Sequence, residues 1–436
     1  METAIVVFTR DLRVHDNPAL ATACAQAERV VPVFVLDGTL TISPNRTRFL
    51  LDSLADLREE LRERGGDLVI RHGEPEAEVM RLALQARAQA VFIADDVSRY
   101  AGRRRSGLAA GCAAQRMELT VTPGLTVVPP GAVRPAGGDH YKVFTPYWRA
   151  WSATGWRAAV PAPAAVRLPS GLPAEPIPAA GGGTAPGLMR GGELAGRARA
   201  QDWLRESLSW YGDRHDDLAG DQTSRLSAYL RFGCLSPLEL AAGARDRPGG
   251  AEFCRQLAWR DFFHQATAAF PDLARADYRP RDGGWRDDPD ALAAWRDGRT
   301  GVPIVDAGMR QLAAEGFMHN RARMITASFL TRDLQIDWRH GYRHFAALLA
   351  DGDVANNAGN WQWVAGTGHN TRPNRVLNPQ RQARRFDPTG DYVRRYLPEL
   401  AGLDTAIAHA PWQLPRRERR RFGYPDPIIE PDLIGR

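Results

Sequence analysis

A thirteen-residue segment in the last quarter of the chain concentrates side chains that could do chemistry. It reads Asp351-Gly-Asp-Val-Ala-Asn-Asn-Ala-Gly-Asn-Trp-Gln-Trp363 and holds two carboxylates, three asparagines and two indoles. Carboxylates and amides are rarely buried without a partner, whereas tryptophan is costly to leave in water. A flat aromatic ligand with polar edges would satisfy both kinds of side chain. The alternative is a polar loop whose tryptophans fill a neighbouring core.

A second candidate is the hydroxyl-rich run Thr223-Ser-Arg-Leu-Ser227, which begins twelve residues after Tyr211. A serine or threonine just before an apolar helical run is typical of a helix cap. The free N–H groups of a helix N-terminus, together with hydroxyl groups, also bind phosphate. The residues alone leave both interpretations open.

A third candidate is a predicted helix that contains Gln256, Trp259 and Arg260 within one helical turn. An amide, an indole and a cation on one face suit base stacking and the reading of base edges. The ordinary alternative is an amphipathic helix whose aromatic residues face a core.

A further predicted helix places Asn320 and Met324 four residues apart, next to Arg321 and Arg323. The simplest interpretation is a helix with a solvated, arginine-rich face.

Composition limits the class of protein. The chain has 436 residues and a net charge of +6, which permits a polyanionic partner without requiring one. The four cysteines are scattered and form no CxxC pair, so we expect no disulfide framework, no metal site and a reducing cytoplasm. No apolar run approaches the length of a membrane span, so we expect no membrane association.

The first part of the chain alternates apolar runs with amphipathic stretches, which predicts a Rossmann-like α/β domain with a parallel sheet. No glycine follows the first run directly, in Thr9-Arg-Asp-Leu-Arg13, so the dinucleotide fingerprint is missing. The predicted strands are Ile5–Phe8, Val30–Leu36, Leu68–Ile70 and Ala90–Ala94, and the predicted helices are Arg46–Arg64 and Glu76–Ala88.

Changes in pattern predict three parts: residues 1–130 as the α/β domain, 131–196 as a linker rich in Pro, Gly and Ala, and 197–436 as an all-α domain. The aromatic patch Tyr141–Trp148 is expected to dock the linker on a domain. The basic run Arg416–Arg421 is most simply a solvated tail, and contact with a nucleic-acid backbone is the alternative.

These motifs, in this order, resemble the DNA photolyase/cryptochrome family, and most closely its bacterial class I cyclobutane pyrimidine dimer photolyases. Asp351–Trp363 and Gly316–Met324 resemble the flavin-binding centre of that family. Phe8-Thr-Arg-Asp-Leu-Arg13 and Tyr424-Pro-Asp-Pro427 extend the resemblance to nearly the whole chain. It implies an antenna-binding α/β domain and a helical domain that binds FAD and UV-damaged DNA. We expect the protein to be a monomer.

The resemblance also implies roles in holding FAD. Arg323 would pair with Asp351, and the Asn357 amide would face flavin N5 without adding negative charge, which suits a reduced cofactor. His215 stands where many relatives have arginine. The implied FAD-binding residues are Tyr211, Thr223, Ser224, Arg225, Leu226, Ser227, Asn320, Arg323, Asp351, Asp353 and Asn357.

By the same resemblance, Trp259 would stack on a lesion flipped out of DNA. Gln256 departs from the glutamate of many members, which bears on specificity. The implied substrate-binding residues are Gln256, Trp259, Arg260, Arg321, Met324 and Trp363.

Three tryptophans match the family's electron-transfer chain from flavin to surface: Trp361, Trp338 and Trp285. The alternative is that they only fill cores. An antenna pigment would contact Arg46, Asp96 and Arg231, and we expect 8-hydroxy-5-deazaflavin, with a methenyl folate, a second flavin or an empty site as alternatives.

The function expected is light-driven splitting of cyclobutane pyrimidine dimers by an electron from reduced FAD. Alternatives are a cryptochrome-like photoreceptor without repair and a (6-4) photolyase, while a dehydrogenase lacks its glycine fingerprint. Repair of the (6-4) product in relatives relies on histidines, whereas this chain has Met318, Asn320 and Met324 around a single His319. Gln256 favours the (6-4) alternative instead, since (6-4) enzymes also have glutamine at this position.

Overall fold

A computed structural model describes residues 1–38, 43–172, 175–281 and 283–435. The chain forms two compact units. The first comprises Met1–Gly183, Met189–Ser209 and Ser224–Asp272, and the second comprises Thr184–Leu188, Trp210–Thr223 and Leu273–Arg436. The boundaries expected at residues 130 and 196 stay a prediction.

The first unit contains a five-stranded, all-parallel sheet in the order β3-β2-β1-β4-β5. Its strands are β1 (Thr3–Val7), β2 (Arg29–Leu36), β3 (Val69–His72), β4 (Ala90–Ala94) and β5 (Glu118–Thr122). The helices between them are α1 (Pro18–Gln26), α2 (Pro44–Glu63), α3 (Pro75–Gln85) and α4 (Arg99–Ala114). The predicted α/β class and the four predicted strands are confirmed.

The central strands are continuous apolar runs because helices cover both faces of a parallel sheet. In register, Ile5 pairs with Val31 on one side and with Val91 on the other, and all three are fully buried. The edge strand β5 is mostly accessible and alternates polar with apolar residues, so it lacks the continuous run that revealed the others.

The remaining helices follow in chain order: α5 (Phe144–Ala153), α6 (Glu193–Glu206), α7 (Tyr211–Arg214), α8 (Ser227–Phe232), α9 (Pro237–Ala244), α10 (Gly250–Ala269), α11 (Pro289–Arg296), α12 (Pro303–Glu315), α13 (Asn320–Ser328), α14 (Trp338–Leu348), α15 (Val354–Ala365), α16 (Pro379–Phe386), α17 (Asp391–Tyr396), α18 (Thr405–His409) and α19 (Arg416–Phe422). A π-helical turn, Phe329–Asp333, follows α13. The helical class predicted for the second half is confirmed.

The second unit packs around one cluster of buried aromatic and aliphatic side chains, with Trp295, Trp338 and Trp361 among its members. A buried carboxylate, Asp306 of α12, fastens two segments to this core. It accepts hydrogen bonds from the N–H and hydroxyl groups of Thr300, from the N–H of Gly301 and from the Tyr424 hydroxyl group. The motif around Tyr424 is therefore anchored by a polar network.

In the first unit, Asp261 of α10 has the corresponding role. Its Oδ2 accepts from Val127 N at 2.9 Å, Val128 N at 3.0 Å and Trp151 Nε1 at 3.0 Å. Helix α5, which carries Trp151, is thereby held to α10. Phe144 and Tyr147 of the aromatic patch pack on Trp259 and Phe262 of the same helix, so the patch docks on the first unit as predicted. Burial raises the pKa of Asp261 to about 6, although the neighbouring Arg260 and these N–H donors oppose the shift.

Replacing Asp261 by Ala leaves three buried N–H donors without an acceptor, so we expect the free energy of unfolding to fall by about 3–5 kcal/mol. Urea denaturation measures the change. The control is Asp272→Ala in the same unit, because the Asp272–Arg99 pair is about half exposed on both sides and its loss should cost at most about 1 kcal/mol. Equal effects of both substitutions would contradict the role of Asp261.

The raised pKa of Asp261 also predicts a pH dependence. Protonated Asp261 contributes stability that is fully present below the unfolded pKa and is lost as the pH rises through the folded pKa of about 6. The stability of the wild type minus that of Asp261→Asn should therefore fall by about 3 kcal/mol between roughly pH 4 and pH 7. A flat difference over this range would rule out the raised pKa.

Candidate functional site

The segment Asp351–Trp363 is not a loop, because most of it forms α15. Asp353 is the N-cap of this helix and accepts hydrogen bonds from the Asn356 N–H and Nδ2 groups, both at 2.8 Å. Trp361 is buried in the core of the helical unit, whereas Trp363 is half-buried. The polar residues thus occupy the first turns of a helix that is anchored by its own tryptophan.

Arg323 of α13 and Asp351 form the predicted ion pair. The contact is bidentate, with Nη1 3.1 Å from Oδ1 and Nη2 2.8 Å from Oδ2. Arg323 Nε also donates to the Met318 carbonyl group at 2.7 Å. Since the Asp351 side chain is only 6% exposed, neither group could lose its partner without leaving a charge largely desolvated.

Two amides belong to the helices that this pair connects, Asn320 to α13 and Asn357 to α15. Asn357 Nδ2 donates to the Tyr342 carbonyl group of α14 at 3.2 Å, which fixes the orientation of the Asn357 side chain. Asn320 is exposed, and its Nδ2 lies 3.9 Å from the Met324 sulfur atom. The predicted placement of Asn320 and Met324 on one helical face is confirmed.

The hydroxyl run fits a phosphate-bearing cofactor. The Thr223 Oγ1 atom is buried and has no hydrogen-bond partner in the described part of the chain. Arg225 has a left-handed φ of 53°, and Leu226 is right-handed at φ −87°, ψ −1°. Successive residues of opposite handedness make their N–H groups converge on an anion. Ser227 then begins α8, whose N-cap residue makes no side-chain capping bond.

Tyr211 belongs to the helical unit, as does Thr223, whereas Ser224–Ser227 belong to the first unit. Tyr211 is buried, which together with the negative charge of Asp216 raises the pKa of its phenol group, so it stays neutral. His215 lies at the end of α7, with Nδ1 3.0 Å from the carbonyl oxygens of Tyr211 and Gly212.

Helix α10 carries Gln256, Trp259 and Arg260, as predicted. Gln256 is exposed, and Trp259 is half-buried with its ring stacked on Phe144 at a centroid distance of 3.7 Å. Arg260 donates to the Leu125 carbonyl group and, at 3.3 Å, to the Leu230 carbonyl group. Its guanidinium group therefore holds backbone segments of its own unit, and its role towards DNA stays a prediction.

Arg321 also has protein partners. It forms a bidentate pair with Asp216, at 3.2 Å and 2.5 Å, and its guanidinium carbon lies 4.3 Å from the Phe386 ring centroid. Neither Asp216 nor Phe386 was identified from the sequence as a partner of Arg321. Asp216 is one of several carboxylates in an acidic run, and nothing in the sequence distinguishes it from the others. The contact of Arg321 with substrate stays a prediction.

His319 is buried, and its Nδ1 accepts from Arg321 N at 3.1 Å as the N-cap of α13. Met318 lies in the hydrophobic core and not on an accessible surface. Met324, by contrast, is partly accessible.

The three tryptophans of the expected electron chain differ in exposure. Trp361 and Trp338 are buried, whereas Trp285 is partly accessible, with Arg281 4.3 Å from its ring centroid. Gly341 makes the position of Trp361 possible, because a Cβ atom at Gly341 would lie 2.1 Å from the indole. The electron-transfer roles stay predictions.

The sequence analysis did not identify two buried groups of the site, one amide and one indole. Gln362 is fully buried and bonds Leu273 O at 2.6 Å, Ala276 O at 2.9 Å and Tyr278 N at 2.8 Å. Trp295 contacts Trp361 edge to face at a centroid distance of 6.0 Å. Both residues resemble ordinary helix positions, so only the three-dimensional contacts reveal them.

The expected antenna residues lie in the first unit, and Arg10 connects two of them. Arg10 Nη1 is 3.3 Å from Asp96 Oδ2, and Arg10 Nε donates to the Arg231 carbonyl group at 3.1 Å. Arg46 is half-buried in α2. Arg10 could have been found from the sequence, since it belongs to the Phe8–Arg13 motif.

A pocket of about 280 Å³ opens in the helical unit beside Trp363. Its lining includes the exposed residues Arg372 and Arg375, so it combines an indole with positive charge. The described residues contain no group of three or more His, Cys, Asp or Glu side chains placed to bind a metal ion. In the same part of the chain, no helix has the length and apolar character needed to cross a membrane.

Comparison with known proteins identifies the family. Residues 253–433 match the FAD-binding domain of DNA photolyase, and residues 4–165 match the DNA photolyase domain. Deoxyribodipyrimidine photo-lyase of Streptomyces griseus is 52% identical over 99% of this chain and 97% of its own length. The chain belongs to the DNA photolyase/cryptochrome family.

Other family members agree with this assignment. Cryptochrome DASH of Natronomonas pharaonis is 37% identical over 99% of this chain and 99% of its own length. The crystal structure of a bacterial class III photolyase from Agrobacterium tumefaciens has a TM-score of 0.92 and 32% identity, covering 99% of this chain and 95% of that one. The expected fold class and the FAD-binding domain are thus confirmed for this photolyase-family chain.

Replacing Asp351 by Ala leaves the Arg323 guanidinium group without its partner, so we expect FAD affinity to fall at least about tenfold. The flavin-to-protein absorbance ratio and a fluorescence titration with FAD measure the change. Asp391→Ala is the control, because Asp391 is 61% exposed and its ion pair with Arg394 spans 3.6 Å. An Asp351→Ala protein that keeps the flavin content of the wild type would contradict the assignment.

Proposed function

We propose that this protein is a light-dependent DNA repair enzyme, a deoxyribodipyrimidine photo-lyase that splits cyclobutane pyrimidine dimers. The observation that carries the proposal is the bidentate Arg323–Asp351 pair at the start of the helix that presents Asn357, within a matched FAD-binding domain. Bound FAD, in its reduced form, supplies the light-excited electron for the reaction. The Streptomyces griseus relative carries the name of this activity.

The residues of this chain bind and orient the reactants. Asp353 and the Arg323–Asp351 pair would hold polar groups of the cofactor, and the neutral Asn357 amide would face its redox-active edge. The convergent N–H groups of Arg225 and Leu226 suit the negative charge of a pyrophosphate.

On the substrate side, Gln256 and the half-buried Trp259 are accessible to a base that has left the DNA stack. The amide of Gln256 keeps an N–H donor for a pyrimidine carbonyl group, which an ionised glutamate lacks. Trp259 and Trp363 provide stacking surfaces. One electron enters the dimer, the two carbon–carbon bonds between the pyrimidines break, and the electron returns, so the reaction is redox-neutral.

Binding of DNA requires cations that contact phosphates. Arg321 and Arg260 are proposed for this role, although both also bond to protein groups. Arg372 and Arg375 at the pocket beside Trp363 are exposed and provide two further cations. Each neutralised phosphate releases counterions, so affinity for damaged DNA weakens as salt concentration rises.

The histidine arrangement favours the cyclobutane dimer over the (6-4) product. An imidazole that relays protons must be free to exchange them near neutral pH. His319 instead uses Nδ1 as a helix cap, and the accessible neighbour Met324 carries a thioether group. Splitting of a cyclobutane dimer needs no obligatory proton relay.

We therefore predict that the reduced protein under blue light restores thymines from a cyclobutane dimer and leaves the (6-4) product unchanged. Chromatography of oligonucleotides that carry each lesion, irradiated side by side, measures both reactions. Dark samples are the control. Activity only on the (6-4) product would overturn the choice of lesion, and activity on neither would favour a photoreceptor such as a cryptochrome.

The electron supply gives a second prediction. Trp361→Phe should keep the bound flavin, because phenylalanine fills most of the same space, but should lose photoreduction of that flavin by an external thiol. Absorbance changes during blue illumination measure the rate. Trp203→Phe in the first unit is the control, since it replaces another buried indole to which we assign no redox role. Unchanged photoreduction in Trp361→Phe would contradict the redox role and indicate that the tryptophans only fill the core.

The antenna site is proposed to hold 8-hydroxy-5-deazaflavin near Arg46, Asp96 and Arg231, with Arg10 aligning the last two. Expression in a host that makes this pigment should add an absorption band near the edge of the visible range to the purified protein. Its absence would favour a methenyl folate, a second flavin or an empty site.

A further inference from the structure

A carboxylate that the photolyase family assignment does not explain lies against the second tryptophan of the proposed electron chain. The indole Nε1 of Trp338 donates a hydrogen bond of 2.8 Å to Asp277 Oδ1. Trp338 is fully buried, whereas the Asp277 side chain is 20% exposed. The contact therefore joins a buried indole to a charge at the margin of the unit.

The position of Asp277 is fixed from two sides. Arg339 Nη2 donates to the same oxygen at 2.8 Å, and Arg339 Nε donates to the Arg275 carbonyl group at 2.7 Å. On the other side, the buried Gln362 amide bonds Ala276 O and Tyr278 N, the residues that flank Asp277. Because Gln362 follows Trp361 in α15, the helix with the first indole also aligns the acceptor of the second.

Among the described residues that contact Trp338 or precede it in the chain, the charges are unbalanced. Asp277 and Asp337 provide two carboxylates, while Arg339 provides one guanidinium group, whose carbon lies 4.8 Å from the Trp338 ring centroid. Asp337 bonds to Arg339 and to the first turn of α14, and no hydrogen bond links it to the indole in the described structure. The Trp361 ring, in contrast, has the neutral rings of Trp295 and Phe345 as neighbours.

We propose that Asp277 is a positioning residue for electron transfer, which stabilises the oxidised form of Trp338. Once Trp361 had given one electron to the light-excited oxidised flavin, one electron would pass from Trp338 to oxidised Trp361, so that Trp361 is restored and Trp338 becomes a radical cation. The N–H proton stays in the hydrogen bond between Nε1 and Oδ1, and the carboxylate balances the new positive charge. The positive charge therefore stays on Trp338 long enough for Trp285 or an external donor to return an electron to it.

This inference rests on the proposed tryptophan chain and makes its own prediction. After a laser flash on the purified protein with bound oxidised flavin, transient absorption records the amount of long-lived oxidised tryptophan. In Asp277→Asn we expect this amount to fall about tenfold, because a unit charge at hydrogen-bonding distance in a half-buried place is worth at least that factor. Asp277→Glu, which keeps the carboxylate, should recover most of the signal.

The control is Asp337→Asn, which changes the local charge by the same amount and leaves the indole hydrogen bond intact. We expect it to keep most of the radical signal. Flavin content and thermal midpoint, measured for every variant, exclude a folding defect as the cause. An Asp277→Asn signal equal to the wild type overturns the proposal, and so does an equal loss in Asp337→Asn, which would indicate a general field effect.

Trp338→Phe separates this inference from the function on which it rests. Loss of photoreduction in Trp338→Phe with normal behaviour of Asp277→Asn would overturn the role of Asp277 alone. Normal photoreduction in Trp338→Phe would overturn the tryptophan chain, and with it the role of Asp277. Neither outcome would affect dimer repair by protein that has been reduced chemically.

Discussion

The ion pair between Arg323 and Asp351 is the constraint on which the helical site depends. It joins the first turn of α13 to the segment before α15. The Met318 carbonyl group accepts a further hydrogen bond from the same guanidinium group. Asp353, two residues after Asp351, then caps α15 and sets the direction of Asn357. Loss of the pair would leave a nearly buried carboxylate without its partner, and it would destabilise the starts of both helices.

Within each of its two units, the protein also buries polar side chains as connectors between segments. Asp261 connects α5 to α10, Asp306 connects Tyr424 to α12, and Gln362 connects the segment of Asp277 to α15. Each of these groups has several hydrogen-bond partners, which offset its desolvation. Of the three, Gln362 follows Trp361 and holds the segment of Asp277, so its fixed amide needs no reorganisation when a charge appears on the tryptophans.

The sequence predicted the fold class, four strands and the Arg323–Asp351 pair, but not the connectors. Strands β1, β2 and β4 are continuous apolar runs, so their burial was readable. Strand β5 alternates polar with apolar residues, as an exposed edge strand does, and α4 is rich in glycine and arginine. Neither therefore shows the hydrophobic pattern by which a buried strand or an amphipathic helix is predicted. The pair itself was identified only by resemblance to a family, since 28 residues separate its members.

The connectors could not be predicted because a single Asp or Gln in a helical pattern looks the same whether it faces water or a buried N–H group. Asp277 and Gln362 illustrate this: their partners lie 61 to 89 residues away in the chain. The converse holds for Arg260 and Arg321, whose types suggested free cations for DNA. The structure shows that each already bonds to protein groups, a cost that composition cannot reveal.

The central claim is that Arg323 and Asp351 act as one unit in holding FAD, and a double-mutant cycle tests it most directly. FAD dissociation constants are measured for the wild type, Arg323→Ala, Asp351→Ala and the double variant. We expect a coupling energy on the order of 2 kcal/mol, with the double variant binding FAD no more weakly than the worse single variant. Additive losses, with a coupling energy near zero, would contradict the account.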